Sequence, residues 1–297
     1  MTKRVTVAAT QMSCSWEQEE NIQRADEMVR EAAGKGAQII LLQELFETPY
    51  FCIEIDQAHM KLATSVTDNP AIQHFSQLAQ ELDVVIPVSF FERAGQASFN
   101  SIAIIDASGE VLGVYRKTHI PDADAYQEKF YFSPGDTGFK VWQTKYAKIG
   151  VGICWDQWFP EAARDMVLQG AELLLYPTAI GSEPRQPELD SQPHWQRVMQ
   201  GHSAANMVPV IASNRIGSEQ AQLIESEMTF YGTSFITDHT GAKVAEMDRT
   251  TSGVIVYSFD LDSIDFERRG WGLFRDRVPK AYQRLATLDG SLSAQTL

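Results

Sequence analysis

Cys154 is the residue best placed for covalent chemistry in this chain of 297 residues. It closes the run Ile149-Gly150-Val151-Gly152-Ile153, read as a strand over 149–154, and precedes the polar-aromatic turn Trp155-Asp156-Gln157-Trp158-Phe159 and a helix opened by Pro160. A thiol at such a strand-to-loop elbow stands where a nucleophile would, and the two glycines admit close approach of another backbone or a ligand. Taken alone, a strand cysteine also reads as an inert buried apolar residue. A base nearby would separate the two readings. The histidines His59, His74, His119, His194, His202 and His239 form no H-x-H or H-E-x-x-H phrase, so structural or surface roles are read for each and no metal site is expected. Glu44 is the better base, because it lies just past the apolar run 39–42 and is followed by Leu45 and Phe46, which should bury it. Lys117, at the end of a strand over 111–117, reads by itself as a surface lysine.

These side chains need a scaffold, and strand and helix signals alternate along the whole chain. Residues 5–10 alternate as a strand, and Ile22, Ala25, Met28, Val29 and Ala32 recur at helical spacing until Gly34 and Gly36. A short strand at 39–42 follows, then a helix marked by Ile72, Phe75, Leu78, Ala79 and Leu82, and strands at 84–91, 101–106 and 111–117. The order then returns: strand 149–154, helix 160–169, strand 173–176, helix 194–206, strand 208–212 and a hairpin. Phrases repeat with it. Gly36-Ala37-Gln38-Ile39-Ile40-Leu41-Leu42 answers Gly170-Ala171-Glu172-Leu173-Leu174-Leu175-Tyr176, 134 residues apart (36 to 170), and 101–109 answers 234–241, 133 apart. Two equivalent α/β halves predict two sheets packed face to face with helices outside, and active residues at strand ends.

The charge balance narrows the partners. Lys+Arg total 25 against Asp+Glu 39, a net charge of −14, the wrong sign for nucleic acid or an anionic membrane, while a cationic small molecule is permitted. No apolar run nears the roughly 18 residues of a membrane span, and the first residues do not read as a targeting segment. Cys14, Cys52 and Cys154 form an odd set with no disulfide or zinc spacing, which points to a reducing compartment, by default the cytoplasm.

Glu44, Lys117 and Cys154 occur in that order, each at a strand end. With Tyr126-Gln127-Glu128-Lys129-Phe130, Cys154-Trp155-Asp156-Gln157-Trp158-Phe159-Pro160-Glu161, Tyr176-Pro177-Thr178-Ala179-Ile180-Gly181 and Gly270-Trp271-Gly272, the chain resembles the nitrilase superfamily of carbon-nitrogen hydrolases over almost its full length. The resemblance implies a four-layer α-β-β-α sandwich with an internal two-fold repeat. It also implies one domain over 1–297 with a C-terminal extension from about residue 270, and a homo-oligomer with residues 270–288 at an interface. It makes Cys154 the nucleophile, Glu44 the general base, Lys117 the stabiliser of a tetrahedral intermediate, and Glu128 a second glutamate that orients the site, with no cofactor. The same phrases imply a branch acting on carbamoylated diamines. Such a substrate carries an ammonium, for which Glu183 is the first candidate counterion, with Asp122 and Asp190 behind it; each also reads as a solvated loop acid. Tyr50 and Trp155 are candidate walls for the aliphatic spacer. The loop Asp122-Ala123-Asp124-Ala125 is less glycine-rich than the family leads one to expect. The alternatives are another amidase or ureidase, such as a carbamoyl-β-amino-acid hydrolase, whose anionic substrate would need basic residues, or a catalytically silent interaction scaffold.

Overall fold

The computed structural model describes residues 2–292, so the last five residues of the expected C-terminal extension lie outside the described residues. The first half runs β1 (Arg4–Gln11), α1 (Gln18–Gly34), β2 (Ile39–Leu41), α2 (Pro70–Leu82), β3 (Ile86–Ala94), β4 (Ala97–Ile105) and β5 (Val111–Arg116). After a short helix α3 (Glu128–Tyr131) come β6 (Val141–Gln143), β7 (Lys148–Val151), α4 (Pro160–Leu168), β8 (Leu173–Pro177), α5 (Gln192–Asn206) and β9 (Val210–Ser213). A small hairpin, β10 (Ser218–Gln220) and β11 (Glu227–Thr229), precedes β12 (Phe235–Thr237), β13 (Lys243–Glu246), β14 (Gly253–Asp260) and α6 (Leu261–Trp271). Local chemistry sets the helix limits. In α2 the Asn69 side chain accepts the Ile72 N–H at 2.8 Å, Pro70 occupies the first turn, and Asp83 at φ +58° ends the helix.

The repeat is realised as matching topology. In the first sheet β14 lies antiparallel to β1, β1 parallel to β2, and a parallel bridge from Ile39 to Val85 joins β2 to the strand leading into the antiparallel β3-β4-β5. The second has the order β6-β7-β8-β9-β12-β13, with β7, β8 and β9 parallel and antiparallel strands on either side. Each sheet thus places three parallel strands between an antiparallel edge strand and an antiparallel hairpin.

Strands apolar on both faces must be covered on both. Val5, Val7, Ile39 and Leu41 of the first sheet share one core with Ile149, Val151, Leu173, Leu175 and Ile211 of the second. The alternate residues Ala8 and Ile40 pack with Ile22, Val29 and Phe75 of α1 and α2, while Leu174, Val210 and Ala212 pack with Met166, Trp195 and Met199 of α4 and α5. The result is the expected α-β-β-α sandwich.

Two local expectations change. Strand β7 stops at Val151 rather than at Cys154, because Asp156 turns back on the chain: its carboxylate accepts the Ile153 N–H at 3.0 Å and its own N–H donates to the Ile153 carbonyl at 3.0 Å. Cys154 therefore opens a 3-10 turn, Cys154–Trp158. The glycines before it admit side chains of the fold, since an added Cβ would stand 2.9 Å from Met166 at Gly150 and 2.9 Å from the Tyr176 ring at Gly152.

Candidate active site

Glu44, Lys117, Glu128 and Cys154 meet where the loops after β2, β5 and β7 and the start of α3 converge. The first three side chains are wholly buried and Cys154 keeps 5% exposure, so it is the member of the group that reaches solvent. Lys117 lies between the two carboxylates, donating from Nζ to Glu44 Oε1 at 2.9 Å and to Glu128 Oε1 and Oε2 at 2.9 and 2.7 Å. Glu128 also accepts the Tyr50 hydroxyl at 2.6 Å, and Asn100 Nδ2 donates to Glu44 Oε1 at 2.7 Å. Glu44 Oε2 is buried and has no hydrogen-bond partner among the described residues.

This cluster decides the protonation of the thiol. Burial pushes Cys154 well above the ordinary thiol range and the Glu44 charge pushes it further, against the pull of Lys117. Burial opposes the Lys117 charge, but Glu128 and Glu44 outweigh it and hold the ammonium well above its usual range. For Glu128, burial raises the carboxyl and Glu44 adds to it, while Lys117 and the Tyr50 hydroxyl pull the other way. One cation among two acids and a thiol favours a neutral thiol.

Strained backbone occurs at two points of the cluster. Cys154 has φ +42° and Leu45, next to Glu44, has φ +48°, a region that costs a side-chain-bearing residue about 1–3 kcal/mol. Around Cys154 the restraint is Asp156, which accepts the Tyr115 hydroxyl at 2.7 Å, the His119 N–H at 3.0 Å and, with its other contacts, bonds His119 Nδ1 at 2.8 Å. Around Glu44 it is the buried Arg215, which donates to the Glu44 and Leu45 carbonyls at 2.8 and 3.0 Å and pairs with Glu219 at 2.8 Å. Lys117 is fixed by its own backbone, with its N–H on the Asn100 carbonyl and its carbonyl accepting from Gly135, both at 2.8 Å.

A buried thiol, two buried carboxylates and a buried ammonium form the constellation expected for carbon-nitrogen bond hydrolysis, and a family profile described as "Carbon-nitrogen hydrolase" matches residues 6–269. The chain belongs to this family. The carbon-nitrogen hydrolase shares 59% identity over 292 residues with an N-carbamoylputrescine amidase of Arabidopsis thaliana, covering 98% of each chain. A citrullinase of Francisella tularensis is 54% identical, with 95% of this chain and 98% of the relative covered. Among solved structures, a carbon-nitrogen hydrolase of Helicobacter pylori matches with a TM-score of 0.89 and 34% identity, over 96% of this chain and 99% of that one.

The expected binding residues of the carbon-nitrogen hydrolase are placed less uniformly. Glu183 is partly buried, and burial with the nearby charge of Asp124 raises its carboxyl. Asp122, by contrast, is exposed, and Asp124 is the acid of that loop which acts on Glu183; Asp124 also pairs with Arg185 at 3.0 Å. Asp190 is committed to Arg249 at 2.7 Å. Tyr50 is wholly buried with its hydroxyl on Glu128, so it supports the catalytic cluster rather than presenting an open wall. Trp155 is 40% exposed, its ring against Trp158 and Phe159. The Tyr126 hydroxyl donates to the Gly181 carbonyl at 3.2 Å and accepts the Gly181 N–H at 3.1 Å, two residues before Glu183, and its ring lies 6.0 Å from that of Tyr50. Of the histidines, His194 and His202 sit on α5 as expected, and each supports the 154–158 turn: His194 lies against Trp158 at 4.9 Å and His202 bonds the Gln157 carbonyl at 2.7 Å.

Asn100, Asp124 and Arg215 were not singled out by sequence. Asn100 and Arg215 did carry a signal, since each is a polar residue continuing an apolar strand, in Phe99-Asn100-Ser101 and in Ser213-Asn214-Arg215. Asp124 had none to separate it from Asp122 two residues earlier.

Proposed function

We propose that this carbon-nitrogen hydrolase converts N-carbamoylputrescine and water to putrescine, carbon dioxide and ammonia. The observation that carries the reading is the buried Lys117 bridging Glu44 and Glu128, with one Glu44 oxygen left without a partner among the described residues and Cys154 the member of the group that reaches solvent. Cys154 Sγ attacks the ureido carbon as its proton passes to Glu44. Charge developing on the carbonyl oxygen is met by the Lys117 ammonium and by the Trp155 N–H at the start of the 3-10 turn, where backbone donors lack partners within the turn. The carbon-nitrogen bond then breaks, and Glu44 protonates the departing ammonia. Water, losing its proton to Glu44, cleaves the thiocarbamoyl intermediate; the thiol is restored, and the carbamic acid released loses carbon dioxide to give the amine. Glu128 holds Lys117 in place throughout, and Tyr50 holds Glu128.

Glu183, with Asp124 beside it, is the counterion for the substrate ammonium, and Tyr126 and Trp155 flank the aliphatic spacer. A second reading has a specific observation behind it. Citrulline is the same ureido chain with a carboxylate added next to its amine, and Arg185, paired with Asp124, is a cation at the acid loop. The acids outnumber that arginine, which favours the diamine. The protein further reads as a cytoplasmic homo-oligomer, supported by three unpaired cysteines and by Trp271 and Leu285, which are 72% and 67% exposed within the expected interface segment. Among the described residues no helix is long and apolar enough to cross a membrane.

Ammonia release from N-carbamoylputrescine, citrulline and N-carbamoyl-β-alanine, measured side by side, tests the reading. The first should give the highest kcat/KM; preference for either of the others would replace the substrate assignment.

A further inference from the structure

Asn100 belongs to none of the motifs that identify the site, yet it touches more of the catalytic cluster than any of them requires. It lies wholly buried on β4. Its carbonyl accepts the Lys117 N–H at 2.8 Å, and its amide Nδ2 donates to Glu44 Oε1 at 2.7 Å and reaches Glu128 Oε2 at 3.5 Å. The amide can face this way only. Turning it over would set Oδ1 against two carboxylates, and in the present orientation Oδ1 is buried with no partner among the described residues. An unpaired buried acceptor is costly, so the bond to Glu44 outweighs it.

The consequence lies in how the two oxygens of Glu44 are used. Oε1 takes both Asn100 and Lys117, while Oε2 has no partner. We propose that Asn100 is a positioning residue that makes Glu44 a one-oxygen base: by occupying Oε1 it stops the carboxylate rotating about its last bond and leaves Oε2 free to take the Cys154 proton. Lys117 cannot do this alone, because its ammonium is shared with both oxygens of Glu128 and would follow Glu44 if the carboxylate turned. The inference rests on the proposed roles of Glu44 and Cys154.

The amide donates to the same oxygen that Lys117 holds, and removing that donor separates positioning from packing. The charged and titratable groups facing Glu44 are Lys117 after β5, Glu128 of α3, Cys154 of the 3-10 turn, and Arg215 after β9 on its backbone carbonyl. Replacing Asn100 with leucine, a side chain of similar shape without a donor, keeps all of these groups and removes the amide's bond to Glu44 and its longer contact with Glu128. Loss of a hydrogen bond to a charged group should lower kcat about 10- to 100-fold and move the acidic limb of kcat/KM upward, with KM nearly unchanged.

The test is to measure the wild type and Asn100→Leu across pH in two assays: ammonia release from N-carbamoylputrescine, and inactivation by iodoacetamide at Cys154, which needs the base but no substrate. The proposal expects the acidic limb to rise in both. Should the leucine variant fail to fold by circular dichroism, Asn100→Asp keeps the shape and replaces the donor by a third acid, for which the same displacement and a larger loss are expected. A folded variant whose acidic limb stays where the wild type has it, or whose loss falls on KM, overturns the proposal. If the wild type leaves N-carbamoylputrescine intact, the substrate reading fails instead, and the iodoacetamide profiles still decide the role of Asn100.

Discussion

Lys117 shows how little freedom a single residue has at this site. Its ammonium is wholly buried and neutralises one of the two carboxylates it bonds, so its removal leaves Glu44 and Glu128 facing each other without a cation. Breaking a buried pair from one side typically costs about 3–5 kcal/mol, and losing an oxyanion donor about 3–4 kcal/mol of transition-state stabilisation. Lys117→Met is therefore expected to lower both the denaturation midpoint and kcat, the latter by about a hundredfold or more, as read by urea unfolding and ammonia release. A variant as stable as the wild type would mean that one glutamate is neutral. Glu183 makes the opposite kind of prediction, because its proposed partner is the substrate ammonium and not the reacting carbon. Glu183→Gln should raise KM for N-carbamoylputrescine far more than for an uncharged alkylurea of the same length. Equal effects on both compounds would remove Glu183 as the amine's counterion.

The elements deliver these residues through strand ends, and here the reading from sequence succeeds and fails for physical reasons. The helices over Ile22–Ala32 and Ile72–Leu82 were legible because burial against a sheet imposes a 3.6-residue spacing that no other arrangement produces. The strands that were legible lie within a few residues of those formed because they alternate between the central core and a helix layer, whereas β6 and β14 were not legible. Nor was the end of β7, since an apolar run continues through Ile153 while the contact that turns it aside, Asp156 with Tyr115 and His119, joins segments about forty residues apart. Choosing Asp122 over Asp124, or seeing that Tyr50 serves Glu128, likewise depended on contacts between distant loops. Gly135 gives a prediction at this scale. Its N–H holds the Lys117 carbonyl, and an added Cβ would collide with the Arg116 and Lys117 carbonyls. Gly135→Ala should thus displace Lys117 and reduce kcat steeply while Cys154 remains alkylatable; full activity would show that this loop does not set the lysine.

Across the whole molecule, two halves of one topology back onto each other, and the proposed catalytic groups come from both, with Glu44, Lys117 and Glu128 before β6 and Cys154 after β7. Neither half holds a complete site, which is why the repeat could be read from sequence before the chemistry could be assembled. The net charge of −14 acts at this scale as well. A cationic substrate should be drawn in by that field, so kcat/KM for N-carbamoylputrescine is expected to fall as sodium chloride rises to about 0.5 M, where screening shortens to a few ångströms, while an uncharged urea is little affected. Equal salt dependence for the two would leave the acidic surface without a part in capture. The account as a whole turns on a covalent bond to one sulfur, and it is tested most directly by ammonia release from N-carbamoylputrescine by Cys154→Ala, with its fold checked by circular dichroism. The predicted result is a folded protein with no turnover; a folded variant that still releases ammonia at a rate near that of the wild type would contradict it.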